Sequence, residues 1–136
     1  MDNLHASAVA FDGRGILLIG PSGCGKSTLA IELIALGGTL VADDRVVAER
    51  RANGLWLDAP DPLRGMIEAR GIGLLNTPSA PAFAALVVDL EVVERDRLPK
   101  SRTTVIAGEE LPLLRKVESP AFAAMLRVTL DGERLE

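Results

Sequence analysis

The residues with the clearest chemistry are Gly20, Pro21, Ser22, Gly23, Cys24, Gly25, Lys26, Ser27 and Thr28. A glycine, four residues and then Gly-Lys-Ser is the pattern of a phosphate-gripping loop when it joins a strand to a helix. Glycines let the backbone curl until successive N–H groups face phosphate oxygens, and the positive end of the following helix adds to that field. Lys26 would then reach the β and γ phosphates of ATP, and the Ser27 hydroxyl would ligate Mg²⁺. The competing reading is a chance Gly-rich turn ahead of a helix, against which both the lysine and the hydroxyl speak. Cys24 is most simply a small filler, with a redox role as the alternative.

Phosphoryl transfer also needs a metal-bridging acid and a group that takes the proton from the attacking hydroxyl. Both belong at the end of a strand neighbouring the phosphate-loop strand. Asp43 and Asp44 follow the apolar run 39–42 and occupy such a place. Side chains alternate along an extended chain, so the two carboxylates should project to different sides and do different jobs. One can act as base while the other holds water, metal or backbone. Without the loop, an Asp-Asp pair is a turn or helix cap. His5 alone reads as a surface or packing residue, Glu68 as a solvated helix residue or a partner for Arg70, and Trp56 as packing.

The elements that must position these groups follow from periodicity. Apolar runs 6–11 and 16–19 flank Asp12-Gly-Arg-Gly15 and predict a tight hairpin whose second strand enters the loop. Leu29, Ala30, Leu33, Ile34 and Leu36 recur at helical spacing, and Gly37-Gly38 ends the helix over 26–36. Residues 39–42 are continuously apolar, as in a buried parallel strand. Runs 46–47 and 55–57 flank a second hairpin with Asn53-Gly54 as its turn. Pro60 and Pro62 precede a short helical stretch leading to Glu68. Strands are predicted over 84–90, 103–107 and 111–114, a loop over 77–81, and either a helix or a strand over 121–130.

One domain of α/β class accommodates 136 residues, 48% of them hydrophobic and nearly all of those aliphatic. The chain contains no apolar run of the roughly 18 residues a membrane span needs, and its first residues lack the basic-then-apolar order of a signal peptide. A cytoplasmic protein is expected. The single cysteine excludes an internal disulfide. A net charge of −4 argues against nucleic acid as the principal partner, although basic residues gather between Arg95 and Arg102, in a solvated loop or a phosphate or partner contact.

His5-Ala-Ser-Ala, residues 20–28, Leu40-Val-Ala-Asp-Asp44 and Glu68-Ala-Arg-Gly-Ile-Gly73, in that order and spacing, resemble the HPr kinase/phosphorylase family. The resemblance implies a P-loop kinase domain with a central mixed sheet flanked by helices, related to phosphoenolpyruvate carboxykinase, spanning 1–136. It implies ATP- and Mg²⁺-dependent phosphorylation of a serine on the carrier protein HPr, with control of the phosphotransferase system and of carbon and nitrogen metabolism. Asp44 would be the base, and in the reverse, phosphorolytic direction the acid. Lys26 and His5 would assist at the phosphates, Ser27 and Glu68 would bind Mg²⁺, and Arg97, with Arg95 as the fallback, would complete the site.

The family's longer members carry an additional N-terminal domain, so the sequence resembles an abbreviated proteobacterial form. The resemblance also suggests a homohexamer. Rivals are a small-molecule kinase of related fold, which would need a closed substrate pocket, and an ATP-binding regulatory domain that does not turn over.

Overall fold

A computed structural model of the chain describes residues 1–132 and 135. Eleven strands and two α-helices are described: β1 (Asp2–Leu4), β2 (Ala6–Phe11), β3 (Arg14–Ile19), α1 (Lys26–Ala35), β4 (Thr39–Ala42), β5 (Val46–Arg51), β6 (Gly54–Asp58), β7 (Met66–Ala69), β8 (Gly73–Asn76), β9 (Ala82–Val93), β10 (Arg102–Ile106), β11 (Glu109–Lys116) and α2 (Phe122–Asp131). Nine strands form one mixed sheet in the order β1-β5-β6-β9-β3-β2-β4, with β11 pairing β9 and β10 pairing β11; β7 and β8 form a separate hairpin. Among the described residues, no helix is long and apolar enough to cross a membrane.

The β2–β3 hairpin closes on Asp12 and Gly13, both at positive φ, as a two-residue turn that matches strand twist requires. Its alternation divides the core. Val9, Phe11, Ile16 and Leu18 join Leu29, Leu33, Phe122 and Leu126 on the helical side. Ala8, Ala10 and Leu17 join Val46, Ala48, Leu55 and Leu57 on the other. The expected mixed sheet with flanking helices is therefore present, with both helices on one face. The second face closes by the sheet curling on itself, with β2 touching β5 and β4 touching β6 although neither pair is hydrogen-bonded. Small alanines on β2 let the curled strands approach.

Several expectations change at the level of single elements. Residues 39–42 do not pair in parallel: β4 is antiparallel to β2. Because β2 is itself antiparallel to β3, β4 still runs in the same direction as β3, with β2 between them. The second hairpin turns on Ala52 and Asn53, with Arg51 opposite Gly54, which takes φ 130° in the strand. After Pro60 comes only a 3₁₀ turn at Asp61–Leu63, and Glu68 lies on a strand of the β7–β8 hairpin, not a helix. The ambiguous segment 121–130 is mostly α2, and residues 2–4, read as no element from sequence, pair with β5.

Helix α1 ends as its glycines predict. Gly37 at φ 102° donates to the Ile34 carbonyl, and Gly38 donates to the Leu33 carbonyl, which also accepts from the Leu36 N–H, so the acceptors of the last turn are satisfied. Gly38 is also jammed: a Cβ there would stand 2.5 Å from Val9 Cγ1 and 2.9 Å from the Leu33 carbonyl oxygen. At the far end of the hairpin, Arg14 reaches the Leu130 carbonyl and pairs with Asp131 at 2.9 Å, tying α2 to the turn. Arg127, 2.7 Å from the same carboxylate, also stacks 4.4 Å over the Phe11 ring.

Two outcomes are expected from this packing. Gly38→Ala should destabilise the fold by about 1–3 kcal/mol through overpacking against β2, read as a lower urea midpoint at unchanged slope. Hydrogen bonding from Arg127, then from Arg14, holds the Asp131 carboxyl below its ordinary value. The stabilisation it brings is present above the unfolded carboxylate value near pH 3.9 and fades as pH falls through the lower folded value. Asp131→Asn should flatten the acid side of the Tm-against-pH curve and leave its shape near neutrality unchanged.

Candidate active site

Residues of the Gly-rich loop follow β3 directly, and three of its glycines adopt positive φ: Gly20 at 143°, Gly23 at 84° and Gly25 at 97°. Side chains are disfavoured in that region, and at Gly20 a Cβ would also meet Cys24 Sγ at 2.7 Å. Gly25 caps α1, whose ladder starts with the Leu29 N–H donating to the Gly25 carbonyl. The N–H groups of Lys26, Ser27 and Thr28 precede that ladder and have no acceptor within the helix, so they stand at its positive end as donors for an anion. Lys26 is buried and its Nζ spans the loop, donating to the Gly20 carbonyl at 2.7 Å and the Pro21 carbonyl at 3.0 Å.

Asp43 and Asp44 follow β4, and their side chains diverge as expected, although through a left-handed turn at Asp44 and not through extended-strand alternation. Asp43 is buried, and its Oδ1 accepts from Ser7 Oγ at 2.7 Å and from Ser27 Oγ at 2.8 Å. Its Oδ2 faces the Glu68 N–H at 3.4 Å. Asp44 takes the left-handed conformation, φ 67°, which swings its carboxylate outward to 3.2 Å from His5 Nε2. Its own N–H lies 3.4 Å from Ser7 Oγ. Ser7, which lies within the His5-Ala-Ser-Ala motif but received no role from sequence, is fully buried on β2 and bridges the two aspartates; its local signal is a hydroxyl within an otherwise apolar strand.

These groups share one cavity of about 590 Å³. His5, Ser22, Gly23, Gly25, Lys26, Ser27, Thr28, Asp43, Asp44 and Glu68 all line it. Of the loop residues named from sequence, Gly20 and Pro21 serve it through their carbonyls on Lys26, and Cys24 borders a second cavity behind the loop. Arg97 does not line the cavity: it lies exposed in the segment after β9, beside Arg95. In the same segment Glu94 is paired with Arg102 and held below the usual carboxylate range, first by the Asp96 N–H. The basic side chain that accompanies Lys26 in the cavity is Arg70, 3.9 Å from the Glu68 carboxylate.

Among the described residues, no group of three or more His, Cys, Asp or Glu side chains converges as a metal-binding set. The cavity instead offers a serine hydroxyl held by one carboxylate, with a second carboxylate, Glu68, on the same wall. Hard oxygen donors in that small number suit Mg²⁺, which keeps waters and takes further ligands from phosphate. A phosphate-binding loop, a hydroxyl and carboxylates for a cation, and an outward aspartate paired with a histidine together can support transfer of a phosphoryl group.

Comparison with known proteins agrees with that arrangement. Residues 1–92 match the family described as HPr Serine kinase C-terminal domain, a span that contains the cavity and stops short of Arg97. The chain is 34% identical over 130 residues to an HPr kinase/phosphorylase of Chlorobium phaeobacteroides, aligning 85% of this chain with 38% of that one. It is 40% identical over 90 residues to one from Clostridium tetani, aligning 66% with 29%. The chain thus spans between about three and four tenths of the length of these relatives. A structure described as the Hpr(Ser) kinase/phosphatase from Coxiella burnetii superposes with a TM-score of 0.81 at 24% identity, covering 96% of this chain and 89% of that one, and shares its fold. The chain belongs to the HPr serine kinase C-terminal domain family.

Proposed function

We propose that this domain transfers the γ-phosphoryl group of ATP to a serine of an HPr-type carrier protein, in the cytoplasm, with Mg²⁺ as cofactor. One observation carries the reading: the Asp44–His5 pair stands in the same cavity as Lys26 and Ser27, so an acceptor hydroxyl at Asp44 faces the end of a triphosphate lying in the loop.

Asp44 takes the proton from the serine hydroxyl. An ordinary aspartate is a weak base, so positioning contributes more than basicity, and His5 holds the carboxylate through one of its oxygens. Lys26, carried on the loop, meets the negative charge that spreads over the transferring group. Mg²⁺ bound by Ser27 and Glu68 would neutralise charge on the phosphate oxygens. Asp43 fixes the Ser27 hydroxyl for that purpose. Microscopic reversal, with inorganic phosphate as the attacking group and Asp44 returning the proton, gives phosphorolysis in the same site. Assembly as a homohexamer, with Arg97 or Arg95 brought to the cavity, belongs to the same proposal.

The position of Arg97 outside the cavity favours one second reading, a nucleotide-binding regulatory domain without turnover.

Incubation with labelled ATP, Mg²⁺ and purified HPr separates the two. Label should appear on an HPr serine and fall at least about a hundredfold in Asp44→Asn, within the range for losing a positioned base; nucleotide binding without labelled serine favours the regulatory domain. Asp44→Gly should also abolish transfer while leaving stability unchanged or raised by up to about 1 kcal/mol, because glycine adopts the left-handed conformation without strain. A clear loss of stability in that variant would show that Asp44 holds the fold instead of serving the chemistry.

A further inference from the structure

A second cavity, of about 390 Å³, lies on the other side of the phosphate loop. The two cavities share Gly25 and Thr28. Their arrangement follows from strand direction. Strands β3, β9 and β11 run parallel to one another and β4 runs the same way as β3, so all four carboxyl ends open on one edge of the sheet. The first cavity lies on the β2–β4 side of the loop. The second lies on the β9–β11 side, between the start of α1 and the segment that leads from β11 into α2.

That second cavity has the lining of a nucleoside pocket. Leu29, Leu90 and Phe122 form a buried apolar floor that includes one aromatic ring. Glu32 and Glu118, both exposed, supply carboxylate acceptors at its rim. A flat base buries its faces against apolar and aromatic side chains, while exocyclic amines and ribose hydroxyls donate to acceptors. Polarity is set by the loop: Lys26 takes the β and γ phosphates, and the helix start at Thr28 lies toward the α phosphate. The γ phosphate must face Asp44, so the remainder of the nucleotide leaves past Thr28, where the second cavity opens.

We propose that the second cavity houses the base and ribose of the nucleotide, with Glu32 and Glu118 accepting its hydrogen bonds. The inference rests on the phosphate-loop reading above and adds to it the residues that would select a nucleoside triphosphate over a bare polyphosphate. It involves α1, the end of β9, the end of β11 and α2, of which the last two lie beyond the residues matched by the family.

Calorimetric titration with Mg²⁺–ATP and with Mg²⁺–tripolyphosphate tests it, using the full chain and two exposed-site variants, Glu32→Trp and Glu118→Trp. Wild type should bind ATP more tightly than tripolyphosphate. Either tryptophan should weaken ATP by about tenfold or more and leave tripolyphosphate unchanged, since only the nucleoside end meets the filled cavity. Equal binding of the two ligands by wild type, or ATP binding indifferent to both substitutions, overturns the nucleoside pocket and leaves the phosphate loop standing. Failure of both ligands to bind wild type removes the phosphate-loop reading itself.

Discussion

Everything at the carboxyl edge of this sheet depends on one buried carboxylate. Asp43 accepts from the hydroxyls of Ser7 on β2 and Ser27 on α1 and faces a backbone N–H of β7. A buried charge is tolerated only when its lone pairs are satisfied, so the four elements around Asp43 are held to the geometry that satisfies it. The phosphate-loop helix, the central hairpin and the β7–β8 hairpin are thereby locked to the end of β4. Asp44, one residue on, is free to turn outward because Asp43 anchors the chain behind it.

The same edge explains why the domain manages with two described helices. A doubly wound sheet buries both faces under helices, but here alanines on β2 and β5 allow the sheet to curl and fill its second face with its own strands. The helices are left for the face that carries the loop. Their placement brings α2 beside the start of α1 and makes the segment after β11 one wall of a cavity.

Much of this was legible in the sequence because the signals are local. The loop, the helix with its Gly37-Gly38 stop, and the first hairpin each depend on residues a few positions apart. That Asp43 and Asp44 face different ways was expected from strand alternation, but the turn that separates them, with Asp44 at φ 67°, was not legible. Long-range pairing escaped. An apolar run such as 39–42 has the same appearance whether its neighbour is parallel or antiparallel, and nothing local announces that β2 intervenes between β3 and β4. Ser7 received no role from sequence because its partners lie thirty-six and thirty-seven residues away, at Asp43 and Asp44. Glu68 was assigned to the site by the family resemblance alone, while the local reading made it a solvated helix residue and missed the hairpin that carries it to the cavity, since Pro60 and Pro62 mark a break without specifying the next element.

The six-pair register of the β2–β3 hairpin carries one more consequence. Ala6 lies opposite Ile19, so His5 and Gly20 emerge together at the open end, while Asp12 and Gly13 close the other. The spacing between the histidine and the phosphate loop is therefore set at a turn on the opposite side of the sheet. A one-residue insertion there would exchange the two faces of β2 relative to β3, send Ser7 away from Asp43 and move His5 off Asp44. Evolution can vary much of the rim of this site cheaply, but the length of a distant two-residue turn behaves as part of the catalytic apparatus, and lineages should tolerate substitutions in it far better than gaps.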